Sequence, residues 1–309
     1  MLTAFDANEK KIVAAEHATR DHSYFCSNEF CRAKLVLRKT ENITPHFAHF
    51  PGTSENGTPE QRACIAEDMA RKANDLSEWT RKWHRRFPVE IQTRAVRYGG
   101  AYKFADVLFA GNKTVLQLQH TRLKKGEFGT RNRHFAGAGY RLVWVFDGSQ
   151  MQDRIARIPL SSLTSEQQKI AKEKNQYFFN FSAYDKYFEG FDPELEPNIS
   201  LYLTYPAKDG TEYLYRICWV SPFAHEKFAA VATSTSAFLH DCKGRQPVPQ
   251  AEAEAIRQKV LAKRSARKQK WMENNSPKCP RCGRTMTEKT NSITGQKFWG
   301  CPDRSCWSR

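Results

Sequence analysis

The chain has 309 residues, of which 40 % are hydrophobic and 27 % are charged, and 49 Lys and Arg against 33 Asp and Glu give a net charge of +16. This composition predicts a folded chain of about two domains and argues against disorder. No apolar run reaches the roughly 18 residues of a membrane-spanning helix and no signal segment opens the chain, so we expect a cytoplasmic protein without a membrane partner. The cationic surplus favours a polyanionic partner such as nucleic acid.

The N-terminal part of the chain predicts short strands followed by a helix. Residues 1–58 contain extended segments, of which 34–39 is the clearest, and end in a loop rich in Gly, Ser, Thr and Asn. Pro59 then opens a helix that Pro88 ends. Its apolar positions recur every three or four residues, at Ile65, Met69, Leu76, Trp83 and Phe87.

A compact α/β unit is predicted over residues 59–150. Its further elements are extended segments at 89–96, 102–110 and 113–119, a short helix at 131–136 and an apolar strand at 141–146. Helix, strand, hairpin, helix and strand in this order indicate a sheet that packs against helices.

The C-terminal half predicts three further parts. Residues 151–242 form an accessory α+β region in which we find no chemistry beyond packing, residues 243–275 combine a linker with a basic helix at 251–274, and residues 276–309 form a cysteine module. The elements predicted for the accessory region are a helix at 165–174, strands at 201–205 and 212–220 joined across 208–210, and a helix that starts at Ser221-Pro222.

Four cysteines near the C-terminus have the spacing of a zinc site. Two residues separate Cys279 from Cys282, four separate Cys301 from Cys306, and eighteen lie between the pairs. Four thiolates supply the ligands of a structural zinc, and a module of about thirty residues depends on such a metal for folding. The motifs KCPRCGRTM and FWGCP are similar to the four-cysteine zinc ribbon at the end of type I topoisomerases, which implies a DNA-binding tail.

This resemblance implies that aromatic side chains of the tail stack on bases and that cationic side chains face phosphates. The candidates are Arg281, Arg284, Lys297, Phe298 and Trp299, to which the basic helix adds Arg264 and Lys268. Packing of the aromatic residues within the ribbon is the alternative interpretation.

A second candidate zinc site lies near the N-terminus. The pair Cys26 and Cys31 precedes the pair His46 and His49 by fourteen residues, and two thiolates with two imidazoles are good zinc ligands. Cys64 could replace one histidine. Because no carboxylate base lies nearby in a suitable motif, we expect a structural zinc and not a catalytic one.

Three polar residues meet in the apolar hairpin around Gly111-Asn112. With a two-residue loop, position i faces position 223 − i, so that Asp106 lies opposite Gln117 and Gln119 follows one pleat further along. A four-residue loop puts Asp106 opposite Gln119 instead. Polar side chains in an apolar hairpin require a partner or a metal, unless they lie on the solvent face of a half-buried sheet.

Longer motifs resemble the competence protein CoiA-like nuclease family. They are FADVLF at 104–109, VLQLQHT at 115–121 and RLVWVFDG at 141–148, preceded by SEWTRKWHRRFPVE at 77–90 and by the Cys/His group that ends in HFAH. The resemblance covers about residues 24–148. It implies an α/β restriction-endonuclease-like core of the PD-(D/E)XK type, in which helices flank a mixed sheet, with the zinc knuckle of residues 1–58 on its N-terminal side and the accessory α+β region and zinc ribbon on its C-terminal side.

In this family an Asp and a Glu on adjacent strands hold Mg²⁺ or Mn²⁺, and a Lys or Gln two residues later positions water. Carried over, Asp106 is the metal-binding Asp and Gln119 stands at the Lys/Gln position, but Gln117 occupies the acidic position. The amide removes one negative charge from a site for a hard cation. Three explanations stay open: a weaker metal site helped by Glu90, an inactive DNA-binding domain, or an introduced Glu-to-Gln change.

The resemblance thus implies a metal-dependent DNA nuclease. By analogy alone, such parts would fit phage or plasmid defence or DNA uptake, and a motor or defence-system subunit is a candidate protein partner. Candidate DNA contacts in the core are His84, His120, Lys124 and Arg131, for which a solvated basic face is the alternative. The competing hypotheses are a catalytically inactive DNA-binding adaptor, which Gln117 favours, and an RNA-directed protein.

Overall fold

A computed structural model of the chain describes residues 1–309 apart from positions 51, 152–154, 183, 189, 207–210, 221–226, 291–296, 304–305 and 307–309. The chain forms two compact units, Met1–Ala253 and Glu254–Arg309. Within the described residues, no helix combines the length and the apolar character that crossing a membrane requires. The five predicted parts of the chain stay predictions.

The N-terminal residues build an antiparallel sheet of five strands. The strands are β1 (Thr3–Asp6), β2 (Lys11–Ala14), β3 (Tyr24–Phe25), β4 (Lys34–Thr40) and β5 (Ile43–His49). They lie in the order β2-β1-β3-β4-β5. Tyr24 and Phe47 pack in one core with Cys64 and Phe104, so this sheet is held against later parts of the same unit.

A mixed sheet of nine strands forms the larger part of the first unit. The strands are β6 (Gln92–Tyr98), β7 (Ala101–Phe109), β8 (Thr114–Gln119), β9 (Arg141–Asp147), β10 (Ile155–Arg157), β11 (Gln176–Phe181), β12 (Ile199–Pro206), β13 (Glu212–Val220) and β14 (Lys227–Thr233). Their order is β10-β11-β14-β13-β12-β9-β8-β7-β6. Because β9 runs parallel to β8 and β12 while the other neighbours are antiparallel, the predicted mixed sheet is confirmed.

Helices cover both faces of the nine-stranded sheet. The helices of the first unit are α1 (Thr53–Asn56), α2 (Pro59–Asp75), α3 (Glu78–His84), α4 (Glu127–Gly137), α5 (Ser165–Glu173), α6 (Tyr184–Phe188) and α7 (Thr235–Gly244). Phe128 of α4 packs with Trp144 on one face, whereas Trp83 of α3 and Phe238 of α7 pack with Val143 on the other. Successive side chains of β9 thus point to opposite faces, and both faces are buried.

The segment between Pro59 and Pro88 is two helices and not one. The hydroxyl of Thr58 accepts the Gln61 amide and the Gln61 side chain accepts the Thr58 amide, which caps the start of α2. The Ser77 hydroxyl then accepts the Thr80 amide and begins α3. The predicted apolar stripe is wrong at Met69, which is 71 % exposed, because α2 turns charged residues toward the sheet.

The hairpin of β7 and β8 has the register predicted for a two-residue loop. Val107 pairs with Leu116, so that paired positions sum to 223, and the turn is a 3₁₀ segment at Ala110–Asn112. Ladder pairing ends at this pair, because the carboxylate of Asp106 accepts the Leu118 amide at 2.8 Å. The two strands therefore part where the candidate site lies.

Residues 151–242 contribute strands to the same sheet. The predicted helix at 165–174 is α5, and the predicted strands at 201–205 and 212–220 are β12 and β13. The sequence pattern does not predict β11, β14 or α7, whose short apolar runs have no distinct period. The predicted turn at 208–210 and the helix start at Ser221-Pro222 lie outside the described residues.

Gly148 follows β9 at a close approach to β12. A Cβ at this position would lie 2.0 Å from the carbonyl oxygen of Thr204. We expect Gly148→Ala to lower the free energy of unfolding by about 2 kcal/mol, because the backbone must shift to relieve the overlap. Gly111→Ala, where a Cβ meets open space, is the matched control in thermal denaturation. Equal melting temperatures for the two variants would contradict this prediction.

The second unit begins within a long helix. This helix, α8 (Gln250–Asn275), confirms the predicted helix at 251–274. A hairpin of β15 (Thr287–Thr290) and β16 (Lys297–Gly300) follows, with Glu288 paired to Trp299. The hairpin places the two predicted cysteine pairs at the same end, since one pair precedes β15 and the other follows β16.

Candidate functional site

Four metal-ligating side chains of the first unit meet between the N-terminal sheet and α2. The Sγ of Cys26 lies 3.7 Å from the Sγ of Cys64, and the Sγ of Cys31 lies 3.5 Å from Nε2 of His49. All four ligand atoms lie within 4.8 Å of one another. A tetrahedral zinc with Zn–S bonds of about 2.3 Å holds its sulfur ligands about 3.8 Å apart, so the cluster can bind zinc. Hydrogen bonds with the Cys26 and Cys64 thiols hold the pKa of Cys31 far below its usual value, as a thiolate ligand requires.

His46, a predicted ligand, lies outside this cluster. His46 and His49 are three positions apart on β5, and side chains three apart in a strand point to opposite faces. The Nδ1 of His46 hydrogen-bonds to the carbonyl oxygen of Thr44 at 2.8 Å. The prediction of His46 is therefore corrected to Cys64, which the sequence had offered as a substitute for one histidine.

Asp68 on α2 supports the histidine of this cluster. Its Oδ2 lies 3.6 Å from Nδ1 of His49, on the side of the ring opposite the cysteines. This distance is longer than a hydrogen bond, but it places a carboxylate where second-shell partners of metal-binding histidines are found. Sequence analysis did not single out Asp68, although it lies four residues after Cys64 and therefore on the same side of α2.

The four C-terminal cysteines also come together, within the second unit. Cys282 and Cys301 have their Sγ atoms 3.5 Å apart, and the ligand atoms of Cys279 and Cys306 complete a group within 4.8 Å. The backbone amides of Cys282 and Arg281 lower the pKa of Cys279 to about 7, which favours a thiolate. This cluster also can bind zinc.

Asp106 lies in a buried group of charged side chains. Its carboxylate pairs with the guanidinium of Arg71, accepts the Leu118 amide at 2.8 Å, and lies 3.6 Å from Nε2 of His84. Asp106 is 1 % exposed. Burial alone would raise the pKa of Asp106, but Arg71 and His84 outweigh burial and hold this pKa below its usual value. Asp106 is therefore an ionised carboxylate.

Arg71 connects Asp106 to Gln117. From α2, Arg71 donates to the carbonyl oxygen of Phe104 at 2.7 Å, to Asp75 at 3.1 Å and to Asp106. The carbonyl oxygen of Phe104 also accepts the side-chain amide of Gln117 at 2.8 Å. The predicted neighbours Asp106 and Gln117 thus do meet, but through a guanidinium and a backbone carbonyl.

A second set of ion pairs reaches Gln117 from the other side. Glu67 of α2 lies 2.9 Å from Arg131 of α4 and 2.8 Å from Lys103 of β7. Arg131 donates to Oε1 of Gln117 at 3.5 Å. We call the whole set the Asp106 cluster; its members are Glu67, Arg71, Asp75, Lys103, Asp106, Gln117 and Arg131.

Three members of the Asp106 cluster come from α2, and sequence analysis missed all three. Glu67, Arg71 and Asp75 are spaced by four residues and so occupy one face of the helix. Three charged residues at this spacing, next to a predicted core, could have indicated a buried charged site. Apolar periodicity does not reveal them, because the face of α2 that meets the sheet is charged.

Mg²⁺ and Mn²⁺ do not fit the Asp106 cluster in this arrangement. Such ions prefer several carboxylate and carbonyl oxygens, but Asp106 belongs to no group of three metal-ligating His, Cys, Asp or Glu atoms in the described part of the chain. The side chain of Gln119 donates to Thr121 and not toward Asp106. Glu90 is exposed on a 3₁₀ turn, where its carbonyl oxygen accepts Arg94.

The predicted DNA contacts of the core separate into buried and exposed residues. His84 and Arg131 are buried, so that their side chains face the Asp106 cluster and not a surface. Lys124 is exposed. His120 is half-buried at the carboxyl end of β8, and its Nδ1 lies 2.7 Å from Oδ2 of Asp147 at the end of the parallel strand β9.

The predicted DNA contacts of the second unit lie around the cysteines and on α8. Arg281 and Arg284 are exposed, and Arg284 pairs with Asp303 at 3.2 Å. Trp299 is half-buried and lines a cavity of about 320 Å³ beside the cysteines, as does Arg281. Arg264 is half-buried on α8. The side chains of Lys268, Lys297 and Phe298 lie outside the described part of the structure.

Residues 72–195 match the family model described as "Competence protein CoiA, nuclease-like domain". Comparison with curated proteins found no match, and comparison with solved structures found none either. The matched segment contains Asp106, Gln117 and Gln119, whereas Glu67 and Arg71 lie just before it. Residues 72–195 of this chain are therefore similar to the nuclease-like domain of the competence protein CoiA, and the similarity covers less than half of the chain.

Proposed function

We propose that this chain is a DNA-binding protein whose CoiA nuclease-like domain binds DNA without metal-dependent cleavage. The observation that carries the proposal is the amide at position 117, which donates to Phe104 and accepts from Arg131 where the family has a carboxylate. Of the two positions that hold the cation in this family, only Asp106 keeps its carboxylate, and a hard cation is usually held by more than one. Of the three explanations for Gln117, this geometry favours the inactive domain.

The charge of the chain supports DNA as the partner. A net charge of +16 favours a polyanion, and the nuclease-like domain points to DNA among polyanions. Near the carboxyl ends of β8 and β9, the half-buried His120 and the exposed Lys124 present polar and cationic groups. The exposed Arg281 and Arg284 extend this character to the second unit. A role in defence or DNA uptake, and a motor as partner, stay hypotheses.

We also propose that both cysteine clusters hold structural zinc. Cys26, Cys31, His49 and Cys64 would hold one ion, and the four C-terminal cysteines would hold the other. Zinc at such a site supplies folding energy and no reactive group, because four protein ligands leave no open position for water. The first ion would join α2 to the N-terminal sheet, since Cys64 is the one ligand that α2 contributes.

A metal-dependent deoxyribonuclease is the second candidate, and the similarity of residues 72–195 to a nuclease-like domain favours it. In that case the substrate would be the DNA backbone and Asp106 would be essential. The two candidates share the DNA-binding step and differ in hydrolysis, so that one set of variants separates them.

The proposal predicts binding without cleavage. We expect the chain to bind labelled single-stranded or duplex DNA and to leave the DNA intact in the presence of Mg²⁺ or Mn²⁺. The binding should weaken steeply as the salt concentration rises, because phosphate contacts release counterions. RNA of the same length is the competitor that tests the RNA-directed alternative. Binding is measured by fluorescence anisotropy and cleavage by denaturing gel.

Two variants decide between the candidates. Cleavage by the unmodified chain that disappears in Asp106→Ala would overturn the proposal and establish a nuclease that tolerates Gln117. Cleavage by the Gln117→Glu variant but not by the unmodified chain would support the proposal, since the unmodified chain would then be inactive because of Gln117. A chain that binds neither DNA form would contradict both candidates.

A further inference from the structure

We infer that the guanidinium of Arg71 occupies the place of a divalent cation in the Asp106 cluster and closes this site to Mg²⁺ and Mn²⁺, whichever residue stands at position 117. The inference deepens the proposed function and rests on it, because it gives a second cause for inactivity in the same site. It concerns a residue that lies outside the segment matched by the family model.

The first argument is geometric. Arg71 donates to oxygen atoms of Asp106, Asp75 and the Phe104 carbonyl, which come from α2 and β7. A divalent cation shared by two elements would need these same oxygen atoms, at about 2.1 Å for Mg²⁺. The second carboxylate oxygen of Asp106 accepts the Leu118 amide at 2.8 Å. Both oxygens of the one carboxylate opposite Gln117 are therefore engaged by donors.

The second argument is charge balance. Each carboxylate of the Asp106 cluster already pairs with a cationic side chain of the cluster; the carboxylates are Glu67, Asp75 and Asp106, and the cations are Arg71, Lys103 and Arg131. At the edge of the cluster, the partly exposed Glu127 also pairs with Arg131, and His84 lies 3.6 Å from Asp106. A divalent cation would add two positive charges beside carboxylates that are already paired. Buried charge without a partner is unfavourable, so a metal could enter only if a cationic side chain left.

The third argument is that burial and hydrogen bonds hold the Arg71 side chain in the site. It is 6 % exposed, and its guanidinium is fixed by a fork of bonds to three acceptors. Burial alone would lower the pKa of Arg71, but Asp106 and Asp75 outweigh it and raise this pKa above the usual value. Arginine keeps its charge in proteins, so no change of pH near neutrality opens the site.

The inference predicts that Gln117→Glu by itself does not restore a metal site. Arg71 still holds Asp106 in that variant, so we expect no specific binding of Mn²⁺. The double variant Arg71→Gln with Gln117→Glu removes the guanidinium and adds a carboxylate, and we expect it to bind Mn²⁺ at least about tenfold more tightly than either parent, the range seen when groups that support a metal site change. Arg62→Gln, an exposed position on the same helix, is the matched control with Gln117→Glu.

The experiment measures Mn²⁺ alone, by electron paramagnetic resonance and by the shift of melting temperature, on zinc-loaded protein. The expected result is no Mn²⁺-dependent shift for the unmodified chain, Gln117→Glu or the control, and a rise in melting temperature for the double variant. Stoichiometric binding by the unmodified chain that disappears in Asp106→Asn would overturn the inference. So would Mn²⁺ binding or cleavage by Gln117→Glu with Arg71 in place, which would leave the proposed function standing, and so would a folded double variant that binds no Mn²⁺.

If Arg71→Gln does not fold, Arg71→Met with Gln117→Glu replaces it. Methionine has a similar length but carries neither charge nor donor, so that Asp106, Asp75 and the Phe104 carbonyl lose the guanidinium. Mn²⁺ binding by this variant supports the inference, and a folded variant that binds no Mn²⁺ contradicts it. DNA binding is measured in parallel. If the unmodified chain does not bind DNA, the proposed function is overturned but the Mn²⁺ result still stands.

Discussion

Replacement of Cys64 by serine is expected to remove one of the two zinc ions that we propose and to lower the melting temperature by about 10 °C, which corresponds to several kcal/mol in a unit of this size. Cys64 is fully buried on α2, and its Sγ lies 3.7 Å from that of Cys26. A serine hydroxyl is a poor zinc ligand, and loss of the ion leaves buried cysteines without a common partner. Zinc content by mass spectrometry and thermal denaturation measure the two effects.

His46→Gln is the control, because His46 has the spacing of a ligand but lies outside the cluster. Glutamine can keep a hydrogen bond to the Thr44 carbonyl, so we expect this variant to retain both zinc ions. Loss of an ion from His46→Gln with full zinc content in Cys64→Ser would reverse the assignment of the fourth ligand. Unchanged zinc content in both variants would contradict the site itself.

Replacement of Asp241 by alanine is expected to lower the free energy of unfolding by about 3–5 kcal/mol, the usual result of leaving a buried charge without its partner. Asp241 on α7 lies 2.6 Å from Arg141 at the start of β9 and accepts the hydroxyl of Tyr202 at 2.8 Å. Arg141 is 2 % exposed, so water cannot replace the lost carboxylate. Urea denaturation of the two chains gives the difference.

Arg245→Ala is the matched control for Asp241→Ala. Arg245 pairs with the other oxygen of the same carboxylate at 3.0 Å, but its side chain is 56 % exposed. An exposed pair contributes little, about 0–1 kcal/mol, because water screens it. An equal decrease in the free energy of unfolding for Asp241→Ala and Arg245→Ala would show that burial does not strengthen the pair of Asp241 with Arg141.

The stabilisation by Asp241 should also depend on pH. Burial alone would raise the pKa of Asp241, but Arg141 and the Tyr202 hydroxyl outweigh it and lower this pKa below the usual value. A carboxyl whose pKa is lower in the folded state stabilises the fold above its unfolded pKa, and this contribution is lost as pH falls through the folded pKa. The stability difference between the chain and Asp241→Ala should therefore be constant near neutral pH and shrink in acid; a difference that grows in acid would contradict the assignment.

The amino-acid sequence alone was sufficient for features that depend on local pattern. The strand β9 and the helix α8 follow from an apolar run and from helical composition. For the β7–β8 hairpin the sequence left two registers open, and the structure has the one in which paired positions sum to 223. The C-terminal cysteine cluster follows from spacing in the chain, because two close pairs across a hairpin already bring the four thiols together. Such features require no knowledge of distant partners.

Other features were decided by the packing of distant segments. Whether His46 or Cys64 completes the first cluster depends on which face of β5 meets α2, and chain spacing does not contain that information. Motif matching placed Asp106 beside Gln117, but Arg71 enters the same space from a helix more than thirty residues earlier. Sequence analysis thus identified Asp106, Gln117 and Arg131 but not the charged residues of α2 that complete the site. Tertiary structure decided which charge faces Asp106, because a buried carboxylate pairs with the nearest cation that the packing of α2 against β7 supplies.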